Sequence, residues 1–210
     1  MARTTKPRAS PARRPRRGAR TRNPQESRRA LVDAAARIFN TVGYHGTDTN
    51  RIARAAGYTP GSFYTHFRDK RSIFLEVYRR WVEEEFEVIS AVLTSSPVGT
   101  RRRRLAKDIL EHHRKWRVFR ASLSALYAID EEVRRVRLVE RDRQIDGMIR
   151  NASEAGRIPP GRAAALASLL AAEALCDAVA SGDAKALGIG EDAMLDIFQR
   201  ALRLESAGRD

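Results

Sequence analysis

The sequence predicts an all-α protein, and three observations carry that reading. From Pro24 onward apolar residues recur at spacings of three and four. No stretch alternates apolar and polar residues as a half-buried strand does. The breaks between periodic segments fall on residues that start or stop helices: Gly43, Gly57, Asp69, Asp130 and Gly156. About nine helices are expected, with no internal repeat.

Pro24 and Ser27 open the first helix, Leu31, Ala34, Ala35, Ile38, Phe39 and Val42 form its apolar stripe, and Gly43 closes it. Tyr44-His45-Gly46 reads as a loop, after which Thr47 or Asp48 can cap a second helix, Thr49–Ala56, with Ile52, Ala53 and Ala56 facing inward. Gly57 breaks that helix as a turn needing positive φ requires. Thr59 caps a third helix with Pro60 in its first turn, where a missing N–H costs nothing. Phe63 and Phe67, four apart, pack back on the first helix and leave Ser62, Tyr64, Thr65 and His66 to point elsewhere. A short helix, a glycine turn and a capped helix with outward polar residues make a helix-turn-helix.

Asp69 caps a long fourth helix running from Lys70 to about Leu93, and a loop follows over 95–99. The fifth helix is expected at Arg101–Trp116, the sixth at Phe119–Ile129, and the seventh from Asp130 to about Ala155. An Ala/Leu helix follows at roughly 161–180, then a loop from Ser181 to Gly190, then a last helix at Asp192–Leu204.

The formal charge of +14 and the pI near 11.0 favour a polyanionic partner. Residues 1–22 hold eight Arg and one Lys without an acid, nine of those fourteen charges, and almost nothing apolar. They are expected to be a disordered arm, serving either as a solubilising tail or in non-specific phosphate attraction. The single cysteine, Cys176, sits in an apolar helical run and reads as a buried inert thiol. No apolar run approaches the ~20 residues that span a bilayer, the basic N-terminus is not followed by an apolar stretch, and its prolines oppose the amphipathic helix of a transit peptide. A cytoplasmic protein with no membrane partner is expected. No nucleophile with a base partner, phosphate-cradling glycine loop or metal-spaced ligand set is present, so the chain reads as a non-enzyme without cofactor or metal. His112 and His113 are adjacent and face different ways on a helix. Glu173 and Asp177 are best explained by exposure at the edge of a helix seam.

By Lys70 the sequence resembles the TetR family of bacterial transcriptional regulators. The matching residues are Ala34-Ala35, Phe39, Gly43-Tyr44, Thr47, Ile52 to Gly57, Gly61 to Tyr64, His66-Phe67 and Lys70, in fixed order over about Ser27–Tyr78. The resemblance implies a helix-turn-helix DNA-binding domain at 23–85 (motif 47–67) and a ligand-binding and dimerisation domain at 86–210. It implies a homodimeric repressor that binds a pseudo-palindromic operator in double-stranded DNA and is released by a small-molecule effector. Thr47, Thr49 and Asn50 would meet phosphates or a base. Thr59, Pro60, Gly61, Ser62 and Thr65 would form the reading face, and Tyr64, His66 and Lys70 would grip the backbone. The last two helices would form the dimer seam, since alanines from Ala164 to Ala178 allow close approach. Trp81, Phe86, Trp116, Phe119, Leu123 and Tyr127 are pocket candidates that plain core packing explains equally, and His113 is either a satisfied core histidine or a polar group of that pocket. Tyr58 departs from the family's small aliphatic residue; its ring must pack in the turn or lie against the sugar-phosphate edge.

Overall fold

The computed structural model describes residues 23–201 and places ten α-helices there. They are α1 (Pro24–Val42), α2 (Thr49–Ala55), α3 (Pro60–Tyr64), α4 (Lys70–Ser95), α5 (Val98–Lys115), α6 (Arg117–Ile129), α7 (Glu131–Glu154), α8 (Arg162–Ser181), α9 (Asp183–Ala186) and α10 (Glu191–Ala201). Among the described residues there is no strand. The basic arm at 1–22 and the expected helix end at Leu204 lie outside the described residues.

Side-chain caps set five of the ten helix starts. Asn23 accepts from Gln25 N at α1, Asp48 rather than Thr47 accepts from Arg51 N at α2, and Thr59 accepts from Ser62 N at α3. Asp69 and Ser72 cap each other at α4, and Asp130 accepts from Val133 N at α7. Each cap satisfies a backbone N–H that has no partner inside its helix. Helix α6 begins at Arg117, two residues before the expected Phe119, and other ends shift by a residue or two; two further differences have a structural cause. The 181–190 loop contains α9, a single turn too short to leave a periodic signal. Helix α5 begins at Val98, three residues early, because Arg101 folds back and donates from Nε and Nη2 to the Ser96 carbonyl, holding the entry closed.

Helix α1 lies against α4 and α6, and one apolar core runs from Leu31, Phe39, Ile52 and Phe63 through Phe74 and Trp81 to Phe119, Leu123 and Val136. The three-helix head therefore shares its core with the helical body, and the boundary expected at residue 85 falls inside α4. A smaller cluster of Ala106, Ile109, Leu110, Cys176, Leu195 and Phe198 joins α5, α8 and α10. Burial pushes the Cys176 thiol well up, as an inert core thiol requires.

Polar ties reinforce the joint between head and body. Asn40 on α1 donates to the Lys115 carbonyl at 2.5 Å and accepts from Phe119 N at 3.3 Å, which pins the α5–α6 corner. Tyr44 N donates to Ser122 Oγ at 3.0 Å. The residue before it, Gly43, has φ 73°, and a Cβ there would stand 3.0 Å from the same Oγ. Only glycine suits that position. Arg71 at the start of α4 donates to Asp130 at 3.0 Å and pairs with Glu132 at 2.8 Å at the start of α7.

Helix α8 corrects the reading that no segment reaches spanning length. It is 20 residues long and holds an 18-residue window of mean hydropathy 1.7, long and apolar enough by length and composition to cross a membrane. Only 17% of that window is buried, and its two acids are held by α6 and α7: Asp177 by Arg120, Glu173 by Arg137 and Arg141.

Candidate nucleic-acid interface

The head presents α3 on a buried aromatic footing. Phe63 is fully buried, Phe67 nearly so, and their rings lie 5.7 Å apart against the head core. That anchoring turns the rest of the helix outward: Thr59, Pro60, Gly61, Tyr64 and Thr65 are exposed, and Ser62 and His66 are half-buried. Tyr64 is 57% exposed, a large ring for open solvent. Gly57 at φ 79° makes the turn that sets α3 across α2. Tyr58 packs its ring against the head core, which settles that departure in favour of packing.

The hydroxyls of this face bond locally. Thr59 Oγ1 and Ser62 Oγ are 2.9 Å apart, Thr65 Oγ1 donates to the Ser62 carbonyl at 2.8 Å, and Thr49 Oγ1 lies 3.0 Å from the Tyr64 hydroxyl. These bonds fix rotamers and still leave oxygen lone pairs, and the Thr65 methyl stays available. The Thr49–Tyr64 contact ties the start of α2 to the end of α3. Asn50 is exposed on α2 beside Arg51 and Arg54, two further exposed cations that the motif reading passed over.

Two expected contact residues sit elsewhere. Thr47 is buried, because Asp48 takes the cap and turns Thr47 inward, where its carbonyl accepts from Lys70. The Lys70 ammonium donates to the carbonyls of Tyr44 and Thr47 at 2.9 and 2.8 Å and lies 4.2 Å over the Tyr44 ring. Burial holds its pKa below the ordinary lysine value. Lys70 thus braces the α1–α2 loop on α4, which commits most of the ammonium expected to grip phosphate.

Further along α4 a cavity of about 120 Å³ opens between α4, α5, α7, α8 and α10. Of the pocket candidates, Phe86 and His113 line it. Trp81, Trp116, Phe119 and Leu123 do not; they are buried in the main core, where aromatic neighbours fill the space. Trp81 stacks on His112 at 5.3 Å, and Trp116 meets Phe119 at 5.6 Å. Tyr127 lies in a shallow surface groove with Arg134, 4.9 Å beneath the Arg137 guanidinium.

The buried polar end of the cavity centres on Glu85. Its Oε1 accepts from His113 Nε2 at 2.9 Å and its Oε2 from Gln144 Nε2 at 2.7 Å. Burial, the largest single influence, raises the Glu85 pKa, but the His113 bond and the neighbouring His112, His113 and Arg120 side chains together outweigh it, and the carboxyl is held below its usual range. His112 instead faces the Trp81 carbonyl at 3.2 Å, and burial lowers its pKa. Glu173 also lines the cavity; it is not exposed at a seam edge, because Arg137 and Arg141 draw it inward. Sequence reasoning missed Glu85 and Gln144. A signal existed for the first: Glu85 falls on the α4 stripe of Phe74, Tyr78, Trp81, Ile89 and Val92, a charge where an apolar residue is due.

Residues 31–77 match the family described as "Bacterial regulatory proteins, tetR family". The chain is 31% identical over 106 residues to the HTH-type transcriptional regulator AcrR of Shigella flexneri, a match covering 42% of this chain and 49% of that one. It is 34% identical over 67 residues to the HTH-type transcriptional repressor AcnR of Corynebacterium glutamicum, covering 32% and 36%. The chain thus spans about half or less of the length of these curated relatives. A TetR-family transcriptional regulator from Streptomyces coelicolor superposes with a TM-score of 0.66 at 22% identity, over 87% of this chain and 97% of that one, which shows the shared fold.

Proposed function

We propose, from the match of residues 31–77 to the TetR family, that this chain is a sequence-specific repressor of that family, binding a pseudo-palindromic operator as a homodimer and released by a small molecule. The carrying observation is α3: Phe63 within it and Phe67 just beyond it are sunk in the core, while Gly61, Tyr64 and Thr65 stand exposed for a major groove. Thr59 to Ser62 and Thr65 read base edges, Asn50 can reach adenine, and Tyr64 and His66 fix register on phosphates. Thr49 supports Tyr64 through its hydroxyl. The working division is a head at 23–85 and an effector and dimer body at 86–210, with the arm at 1–22 adding phosphate attraction.

A dimer seam is supported by α8, which leaves Ala163, Ala167, Leu170 and Ala174 exposed along one stripe, with Ile197 exposed on neighbouring α10. Small side chains let two copies approach closely, and twofold symmetry pairs the reading heads. Coupling is supported by α4, which runs unbroken from Lys70 in the head to Glu85 and Phe86 on the cavity wall, roughly 22 Å at 1.5 Å per residue. A ligand that displaces this wall moves the heads away from the ~34–36 Å spacing of successive major grooves. Selection of binding sites from random duplexes tests the reading: a discrete inverted repeat supports it, and uniform coating of DNA without sequence preference refutes it.

A further inference from the structure

The cavity walls are mostly apolar, with Phe86, Ile89, Leu105, Ile109, Leu169 and Phe198 among them, and the buried polar groups gather at Glu85. An ionised carboxylate only accepts hydrogen bonds, so Glu85 orients both of its neighbours. The His113 ring turns Nε2–H toward it, and the Gln144 amide turns its NH2 group toward it. In the neutral imidazole this leaves Nδ1 as a bare lone pair. His113 is 2% exposed, and its Nδ1 is buried with no hydrogen-bond partner. Gln144 likewise turns its carbonyl oxygen away from Glu85. The second acid of the lining, Glu173, is paired with Arg137 and Arg141, and Arg157 is the cation among the described lining residues. The buried end at Glu85 therefore presents one unpartnered acceptor, His113 Nδ1, in a lining that also carries the Ser168, Asn151 and Arg157 side chains.

We propose that this cavity takes a compact apolar molecule bearing one hydrogen-bond-donating head, a hydroxyl or an amine, which donates to His113 Nδ1. The proposal rests on the effector reading above and names the chemistry of that effector. Size agrees: about 120 Å³ is close to the engineered cavity of about 150 Å³ that holds benzene in another protein. A ring with one short substituent fills it. A carboxylate head brings a third acceptor group beside Glu85 and Glu173 and leaves Nδ1 unsatisfied.

Titration calorimetry of the full chain at mildly alkaline pH, with toluene, benzyl alcohol, benzylamine and benzoate, tests this on one ring size. Benzyl alcohol and benzylamine are expected to bind about tenfold tighter than toluene, the effect of one buried hydrogen bond, and benzoate more weakly than toluene. If toluene matches benzyl alcohol, or benzoate binds tightest, the donor-head proposal is overturned while the effector cavity stands. Ala172 lines the cavity, and Ala172→Phe fills it, so all binding should be lost. Persistence of benzyl alcohol binding in Ala172→Phe, or in Leu169→Trp as a second filler, overturns the cavity reading itself. The ligand series on the unmodified chain needs no variant to fold.

Discussion

Lys70→Met separates bracing from gripping at the residue where motif and structure differ most. Methionine keeps the length and apolar stem and removes the ammonium. The variant loses two charge-assisted hydrogen bonds to the Tyr44 and Thr47 carbonyls and a cation over the Tyr44 ring. A hydrogen bond to a charged group contributes about 1.5–3 kcal/mol and a half-exposed cation–π contact about 0.5–1 kcal/mol. Against this stands the desolvation that holds Lys70 below its ordinary pKa, together with partial exposure of the carbonyls to water. A net loss of about 1.5 kcal/mol is expected. For a chain of this size that lowers Tm by about 3–6 °C. The assay is thermal unfolding without DNA, paired with DNA binding across a salt series well below Tm. An unchanged Tm with a salt slope reduced by about one refutes the brace, since that is the signature of a lost phosphate contact.

Thr65→Ala should relax base preference at one or two positions of each half-site, by about 1–3 kcal/mol, in a selected-site experiment; an unchanged site profile puts Thr65 on backbone duty. Asp130→Asn keeps a competent helix cap and removes the charge facing Arg71. Burial opposes ionisation of Asp130, but its bonds to Val133 N and Arg71 prevail and depress its pKa. Its contribution is therefore full above the ordinary carboxylate range near ~4 and is lost as pH falls below it. Denaturation midpoints should fall less steeply in acid for Asp130→Asn, with a loss of about 0.5 kcal/mol at neutral pH for this partly exposed pair; an acid limb as steep as that of the parent counts against the assignment. Ala174→Arg, on the exposed α8 stripe, should give a folded monomer by analytical ultracentrifugation, and a persistent dimer refutes the proposed seam.

The head was the most legible part of the chain because its geometry is built from local chemistry. Asp48, Thr59 and Asp69 cap the next turn through backbone groups three residues away, and Gly57 takes a positive φ that glycine adopts without strain. Phe63 and Phe67 share a face by spacing. Such signals act within a few residues, so they survive without knowledge of what packs above them. Even here the logic had a limit. The family motif puts Lys70 on the DNA, whereas its ammonium is occupied by carbonyls 23 and 26 residues earlier in the chain.

In the body, periodicity identified which side chains turn inward but not what they meet. Trp81, Phe86, Trp116 and Phe119 carry the same apolar signal, yet only Phe86 lines the cavity. The difference lies in whether a neighbouring helix fills the space opposite each ring, which depends on helix crossings. By itself the sequence determined the all-α class, nearly every helix, the helix-turn-helix motif and the concentration of charge in residues 1–22. Only the tertiary structure decided that Glu85, His113 and Gln144, from α4, α5 and α7, converge on one buried polar end, and that His113 Nδ1 has no hydrogen-bond partner there. A hydrogen bond between residues 28 or 59 positions apart leaves no local trace, because it arises from how the helices pack.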